Sequence, residues 1–263
     1  MPANLPRERP GSTDRVIRLD LEYEGTDYRG FAPQANARTV GGELERILAR
    51  ICGEAIRVTP GGRTDSGVHA RGQVVSFRAR SAISTDELKK ALNALVDPDL
   101  YITNVSEAAD DFDARHSAAS RRYGYTIWNA PARNVWHRRW MGHVAALLDA
   151  ERMDAACQAL VGRHDFAAFR THQSQDPPGL GTERCVHAVS WARHTRAPEI
   201  VEFEIEADAF LRHMVRTIVG SAIQVGKGRL PGSAIGEMLE SRQRAAAGPT
   251  APPQGLTLLE VKY

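Results

Sequence analysis

The chain has 263 residues, of which 42% are hydrophobic and 25% are charged, a composition typical of one large globular domain or two smaller ones. No apolar run approaches the roughly 18 residues that a membrane helix needs, which argues against a membrane protein. Residues 1–14 hold three prolines and no apolar core, so we expect a flexible tail and not a signal peptide. The three cysteines share no CxxC spacing, which favours a reducing cytoplasm over a disulfide framework.

The formal net charge of +2 hides an uneven distribution of charge along the chain. Residues 55–85, 114–148 and 209–236 together carry +14, with Asp65 as their one acid, so the remaining residues carry −12. Such segregation can give a nearly neutral protein a basic face that binds nucleic acid. The alternative is chance clustering, because 30 of the 34 cationic residues are arginine.

The first half of the chain alternates strand and helix patterns. Period-two alternation predicts strands, apolar residues at helical spacing predict helices, and Ser84 with Glu87 forms a capping box. The predicted elements are a strand at 16–23, a helix over 44–51, strands at 56–59 and 75–79, a helix from 84 that stops at 97, and a strand at 101–105. The order βαββαβ is that of a ferredoxin-like unit.

The second half repeats this order. The predicted elements are a strand at 123–127, a helix from Asp149 to Gly162, strands at 186–192 and 201–205, an apolar helix at 210–225, a helix at 235–239 and a strand at 259–263. We therefore predict an α+β protein with two similar halves, 15–114 and 115–263. The segments 172–181 and 245–254 are rich in Pro and Gly, and we expect them to be flexible.

The glycine-rich segment PGGRTDSGVHARG contains one carboxylate, Asp65. Arg63, Arg71 and glycine N–H groups would keep it ionised, and an ionised carboxylate can act as a nucleophile, a base or a stabiliser of positive charge at a sugar carbon. A turn aspartate that bonds to its own backbone is an equal alternative. The segment is neither a P-loop nor a dinucleotide-binding motif. A hydrolytic glycosidase is disfavoured because it would need a second carboxylate nearby. A metal site is disfavoured because the nine histidines lack metal-ligand spacing.

Two further patterns point to RNA. Residues 115–140 interleave arginines with Tyr123, Tyr125 and three tryptophans, a mixture suited to phosphates and stacked bases, although a tyrosine on the buried face would serve the core. Arg212 and Arg216 lie four residues apart in the predicted apolar helix. Because a buried unpaired charge is costly, Arg216 requires a carboxylate, and Asp65 is the candidate.

Four segments in order, GRTDSGVHARGQV, FDARHSAASRRYGYTIWN, AFLRHMVRTIVGS and GLTLLEV, are similar to motifs of the tRNA pseudouridine synthase A family. The resemblance covers about residues 16–263. It implies a pseudouridine synthase fold, with two ferredoxin-like halves around a central antiparallel sheet and the active site in the cleft between them. It also implies a cytoplasmic homodimer that acts on the anticodon arm of tRNA, at positions 38, 39 and 40, without a cofactor or a metal.

By position, the resemblance implies roles for five residues. Asp65 would be the catalytic aspartate, Arg216 would be its partner, and Arg63 would help displace the target nucleotide. Tyr123 would stack on the flipped uracil, and Leu256 would line the apolar side of the base pocket. The implied reaction moves uracil from an N1–C1′ to a C5–C1′ bond. No water is activated, so one carboxylate is enough, and the target must leave its stack. A non-catalytic tRNA-binding protein or RNA chaperone is the alternative function, and a phosphate-ester hydrolase is disfavoured because no metal cluster is evident.

Overall fold

The computed structural model describes residues 14–171 and 181–263. Its strands are β1 (Arg15–Tyr23), β2 (Thr59–Pro60), β3 (His69–Ala79), β4 (Leu100–Ala108), β5 (Ser120–Trp128), β6 (Gly142–His143), β7 (Gly162–Asp165), β8 (Glu183–Arg193), β9 (Ile200–Ala207) and β10 (Leu256–Lys262). Its α-helices are α1 (Val40–Cys52), α2 (Thr85–Asn93), α3 (Ala150–Cys157), α4 (Met214–Gly226) and α5 (Ala234–Ser241). None of these helices has the length and apolar character needed to cross a membrane.

Two predictions concern segments that are largely outside these ranges. The predicted tail over 1–14 lies outside the described residues except for Asp14, whose carboxylate pairs with Arg80 at 2.9 Å. The predicted flexible segment at 172–181 also lies outside them, apart from its last residue.

The strands form a single sheet with the order β4-β1-β3-β10-β5-β9-β8-β7, and β2 and β6 pair with β3 and β5. The sets β4-β1-β3-β2 and β10-β5-β9-β8 each have the strand order of a ferredoxin-like unit. Neighbouring strands are antiparallel except for β3 with β10 and β5 with β6. This confirms the predicted fold class. The division at residue 115 stays a prediction, because one sheet continues through both halves.

The halves join along one edge of β3. Thr257 and Leu258 of β10 pair in parallel with His69 and Ala70 at the start of β3. On the same edge, β2 pairs only with Val75 and Ser76. The strand predicted at 56–59 is therefore wrong in extent: only its last residue, Thr59, pairs with β3, and the N–H of Val58 donates instead to the Glu45 side chain of α1 at 3.2 Å.

All five predicted helices are present, but their ends differ from the predicted ones by one to five residues. The capping box at Ser84 is present, and Thr39 and Asp149 cap α1 and α3 through their side chains. The helix predicted to run to residue 97 ends at Asn93, where the N–H of Leu95 donates to the carbonyl of Leu92 at 2.9 Å in a tightened last turn.

The apolar helix α4 begins four residues later than predicted. His213 has a left-handed backbone with φ of 60°, which interrupts helical geometry before Met214. The prediction that Arg212 and Arg216 share a helical face is therefore wrong, since Arg212 precedes the helix. The buried character of α4 was predicted correctly, because 11 of its 13 residues are buried.

The segment at 245–254 packs against α4, so the prediction that it is flexible was wrong. A Cβ on Gly220 would lie 1.7 Å from the carbonyl oxygen of Pro249, which means that only glycine allows this approach. The N–H of Gly248 donates to the hydroxyl of Ser221 at 2.9 Å. The absence of a side chain at Gly220 thus brings this segment close to the N-terminal half of α4.

Candidate active site

Asp65 lies in a loop formed by residues 61–68, between β2 and β3, which we call the Asp65 loop. The fully buried Gln73 clamps its first part, since the Gln73 Nε2 donates to the carbonyl of Gly62 at 2.7 Å and its Oε1 accepts from the Gly62 N–H at 3.2 Å. The Arg121 Nε donates to the carbonyl of Gly61 at 2.9 Å. Side chains from β3 and β5 therefore hold the same end of the loop.

The far end of the loop is a tight turn. The N–H of Val68 donates to the carbonyl of Asp65 at 3.1 Å, and Gly67 has φ of 78°, a value that favours glycine. The hydroxyl groups of Thr64 and Tyr23 lie 2.7 Å apart beneath it. The backbone on both sides of Asp65 is thus fixed by hydrogen bonds.

The Asp65 carboxylate bonds outside its own loop. Its Oδ2 accepts from Arg216 Nη1 at 3.3 Å and lies 3.4 Å from His213 Nε2. Its Oδ1 has no hydrogen-bond or ion-pair partner within residues 14–171 and 181–263, and the side chain is 31% exposed. The predicted pairing of Asp65 with Arg216 is confirmed, and the alternative of a turn aspartate bonded to its own backbone does not fit these contacts.

Arg216 is held from the side opposite Asp65. Its Nε donates to the carbonyl of Ala251 at 2.8 Å, and the N–H of Ala251 donates to the carbonyl of Arg216 at 2.9 Å. The side chain is 14% exposed. This reciprocal pair leaves Nη1 of the guanidinium directed at Asp65.

His213 directly precedes α4, beside the same carboxylate oxygen. Partial burial lowers its pKa, the charges of Arg216, Arg212 and Arg244 lower it further, and the Asp65 carboxylate opposes the shift. The balance favours a neutral imidazole at neutral pH.

Tyr123 lies on β5 next to the Asp65 loop. Its ring meets Phe210 edge to face, with centroids 5.1 Å apart, and a Cβ on Gly62 would lie 3.3 Å from its hydroxyl. Burial raises the pKa of Tyr123, and its neighbours Tyr23 and Asp65 raise it further. Tyr123 and Tyr125 are both buried, and they differ in their hydroxyls: that of Tyr125 donates to the carbonyl of Pro252 at 2.9 Å.

Leu256 is the first residue of β10 and is buried. It pairs with Tyr125, and Leu258, two residues later, pairs with Tyr123. The predicted apolar lining therefore lies on the strand next to Tyr123.

Arg63 is exposed and, among the residues that the structure covers, makes no hydrogen bond or ion pair. Near the other end of the loop is a cleft of about 280 Å³. It is lined by Thr26, Ser66, Gly67, Arg138, Arg139, Pro253 and Gln254. Two arginines thus face the cleft that begins immediately after Asp65.

Arg121 does not belong to an exposed basic surface, although the sequence places it in the most basic window. It is 8% exposed, and its guanidinium donates to the carbonyls of Gly61, Ala118 and Asp208. Its role is to hold the backbone around the Asp65 loop.

A sequence profile described as tRNA pseudouridine synthase matches residues 21–117 and 156–263. Proteins named tRNA pseudouridine synthase A align with nearly the whole chain. That of Myxococcus xanthus is 41% identical over 247 residues, covering 94% of this chain and 91% of the relative. That of Acetivibrio thermocellus is 40% identical over 251 residues, covering 95% and 100%. This chain belongs to the tRNA pseudouridine synthase A family.

Within this member of the tRNA pseudouridine synthase A family, the profile match includes Asp65, Arg63, Arg216 and Leu256, whereas Tyr123 lies in the unmatched interval. In the described ranges, no group of three or more His, Cys, Asp or Glu side chains is arranged to hold a metal ion. The sequence motifs missed His213 and Gln73. A polar residue in an apolar strand was the available signal for Gln73, and a titratable residue next to a buried helix was the signal for His213.

Proposed function

We propose that this protein isomerises uridine to pseudouridine in tRNA, with Asp65 as the catalytic carboxylate. The observation that carries the proposal is the asymmetry of that carboxylate: Oδ2 is held by Arg216, whereas Oδ1 has no partner within the described parts of the chain. Membership of the family gives the reaction class, and the geometry supplies a carboxylate oxygen free to meet a nucleotide.

The isomerisation breaks the N1–C1′ bond, turns the detached uracil and forms a C5–C1′ bond; C5 loses a proton and N1 gains one, so the product is an isomer of uridine. Three roles for Oδ1 fit this balance: attack at C1′, attack at C6, and removal of a ribose proton. All three require the oxygen to come close to the glycosidic bond, so the nucleotide must be flipped out of its stack. None requires an activated water, so a second carboxylate is unnecessary.

The other predicted residues complete the site. Tyr123 would stack on the uracil and retain it after the glycosidic bond breaks, and Leu256 would exclude water from the same pocket. The exposed Arg63 would contact the RNA backbone and help displace the target nucleotide. Arg216 would orient the Asp65 carboxylate through Oδ2.

The family resemblance further suggests that the enzyme is a cytoplasmic homodimer that acts on positions 38, 39 and 40 in the anticodon arm. Sedimentation at several protein concentrations tests the dimer.

Unmodified tRNA transcripts provide the test of activity. Incubation with purified protein followed by nucleotide-resolution mapping should reveal pseudouridine at one or more of positions 38, 39 and 40. Transcripts with cytidine at those positions are the matched control. Tight tRNA binding without pseudouridine in any transcript would contradict the proposal and favour a non-catalytic tRNA-binding protein or RNA chaperone.

A further inference from the structure

We propose that His213 is a positioning residue for Asp65: the neutral imidazole occupies the Oδ2 side of the carboxylate so that Oδ1 faces the substrate, and protonation of the imidazole switches the site off. The inference rests on the proposed function, since it assigns regulation to the same site.

The first support is the convergence of two groups on one oxygen. His213 Nε2 lies 3.4 Å from Oδ2 of Asp65, and Arg216 Nη1 lies 3.3 Å from the same atom. Both side chains belong to one short stretch of chain at the start of α4. Because they occupy one edge of the carboxylate, the other oxygen is left free.

The second support is the backbone of His213. Its φ of 60° is left-handed, which is unfavourable for a residue with a Cβ, and only one other non-glycine residue of the described chain, Arg242, shares such a value. The buried side chains of Leu211 and Met214 flank it, and the N–H of Met214 donates to the carbonyl of Leu211 at 3.1 Å. The packing on both sides thus maintains a conformation that keeps the imidazole at Asp65.

The third support is the charge around the imidazole. The groups that face it are Asp65 from the loop, Arg216 from α4, Arg212 from the preceding segment and Arg244 from the turn at 244–246. Burial is the main cause that lowers the pKa of His213, the Asp65 carboxylate opposes it, and the three arginines add to it, so the neutral form is favoured at neutral pH.

Protonation would change the electrostatics of the reaction. With neutral His213, Arg216 is the cation that touches Asp65. A second cation on Oδ2 would withdraw charge from the carboxylate and oppose both its attack as a nucleophile and its stabilisation of positive charge at the sugar. Activity should therefore fall as the imidazole becomes protonated in acid.

The first experiment measures pseudouridine formation at saturating tRNA from pH 5 to pH 8. Below the pKa of His213, the wild-type kcat should fall about tenfold for each pH unit. His213→Asn cannot titrate in this range and tolerates a left-handed backbone. Its kcat should be about tenfold lower at pH 8, with little change in KM, because the smaller side chain no longer fills the Oδ2 side of the carboxylate and Asp65 can shift. Its profile should lack the acid limb of the wild type.

Two variants serve as controls. His187→Asn removes an exposed histidine on β8 and should keep the wild-type profile. His213→Gly relieves the backbone and removes the side chain, and it should lower kcat and also lose the acid limb. An acid limb that persists unchanged in His213→Asn would overturn the inference.

The second experiment does not depend on activity. NMR titration of the His213 ring in the free protein should give a lower pKa in Asp65→Asn than in the wild type, because the carboxylate that favours the charged form has gone. Equal values in the two proteins would overturn the inference. Absence of pseudouridine with the wild type at every pH would contradict the proposed function, whereas a lower pKa in Asp65→Asn would still support the pairing.

Discussion

Arg216 uses the two ends of its guanidinium group for different purposes. The Nε atom bonds to the carbonyl of Ala251 at 2.8 Å, and Nη1 reaches Asp65. Lysine would retain the charge but cannot make both contacts. We expect Arg216→Lys to lower kcat by about 100-fold, the scale of a small misplacement at a reacting centre. Single-turnover kinetics check this, and a wild-type rate would contradict it. Arg57→Lys, at an exposed pair with Glu45, is the control.

Tyr123 allows its ring and its hydroxyl to be tested separately. The hydroxyl makes no hydrogen bond to any residue in the described ranges, whereas the ring packs on Phe210. Tyr123→Phe should therefore stay within about threefold of the wild-type kcat, and Tyr123→Leu should lose about tenfold or more because one base-stacking contact disappears. Equal rates for the two variants would argue against stacking. Thermal unfolding of both variants controls for loss of stability.

The contact between Asp65 and Arg216 was predictable because Asp65 is the one acid in the three basic segments and a buried arginine of the apolar helix needs a carboxylate. His213 was not predictable in the same way. Its role depends on a left-handed backbone and on a distance of 3.4 Å between segments almost 150 residues apart. Neither this backbone angle nor this distance can be inferred from the spacing of motifs.

The turn that ends the Asp65 loop depends on Gly67. A Cβ there would lie 3.0 Å from Pro253, and φ is 78°. Gly67→Ala should lower the free energy of unfolding by about 1–2 kcal/mol and also reduce kcat, because the turn moves Asp65.

Gly228 is the matched control for this change. It also has a positive φ, of 70°, but a Cβ there would meet nothing within 4 Å. Gly228→Ala should lower stability by a similar amount and leave kcat unchanged. If the two variants had the same kcat, the turn at Gly67 would not position Asp65.

His69 links β3 to segments from both halves. Its Nδ1 accepts from the N–H of Gly25 at 3.0 Å, and its Nε2 lies 2.8 Å from the carbonyl of Arg139 and 3.1 Å from that of Gln254. These partners require a neutral ring with the proton on Nε2. Burial lowers the pKa of His69, and the two carbonyls oppose the shift only in part.

The sign of the pH effect follows from that lowered pKa. As pH falls through about 6.5, the unfolded chain binds a proton at residue 69 before the folded protein does, so the free energy of unfolding decreases. It should decrease until the pH reaches the pKa of His69 in the folded state. Urea unfolding between pH 7.5 and pH 5 should show a smaller decrease for His69→Gln than for the wild type. An identical pH dependence would contradict this, and His187→Asn is the control.

The long elements were predictable because period-two and helical spacing reflect burial on a sheet or helix face. The short β2 and the parallel join were not. The parallel join depends on β10, about 190 residues away in sequence, and β2 is short because the N–H of Val58 donates to the Glu45 side chain and not to β3. The start of α4 was missed because apolar spacing continues through His213, where the backbone does not.

Across the whole molecule, the charge of the three basic segments (55–85, 114–148 and 209–236) overestimates the positive charge that is available to bind RNA. Arg121 is buried, Arg122 pairs with Glu204 and Glu260, and Arg139 pairs with Glu24 and Asp27. Arg63 and Arg138 have no such partners among the described residues. The number of arginines in these segments could be counted from the sequence, but which of them pair with carboxylates could not be predicted.

Salt dependence measures this remaining charge. The slope of log affinity for tRNA against log salt concentration should decrease by about 1–2 in the double variant Arg63→Gln and Arg138→Gln, since each phosphate contact contributes about 0.7–0.9. Arg57→Gln removes an exposed but ion-paired arginine and should leave the slope unchanged. An unchanged slope in the double variant would exclude these side chains from the tRNA interface.

The central claim is that Asp65 performs the chemistry without being needed for the fold or for tRNA binding. The most direct measurement is the rate of pseudouridine formation by Asp65→Asn, made together with its tRNA affinity. We predict no detectable product and an affinity within about threefold of the wild type, because asparagine keeps the shape of the side chain but not its charge. Appreciable pseudouridine formation by the purified variant would contradict the account.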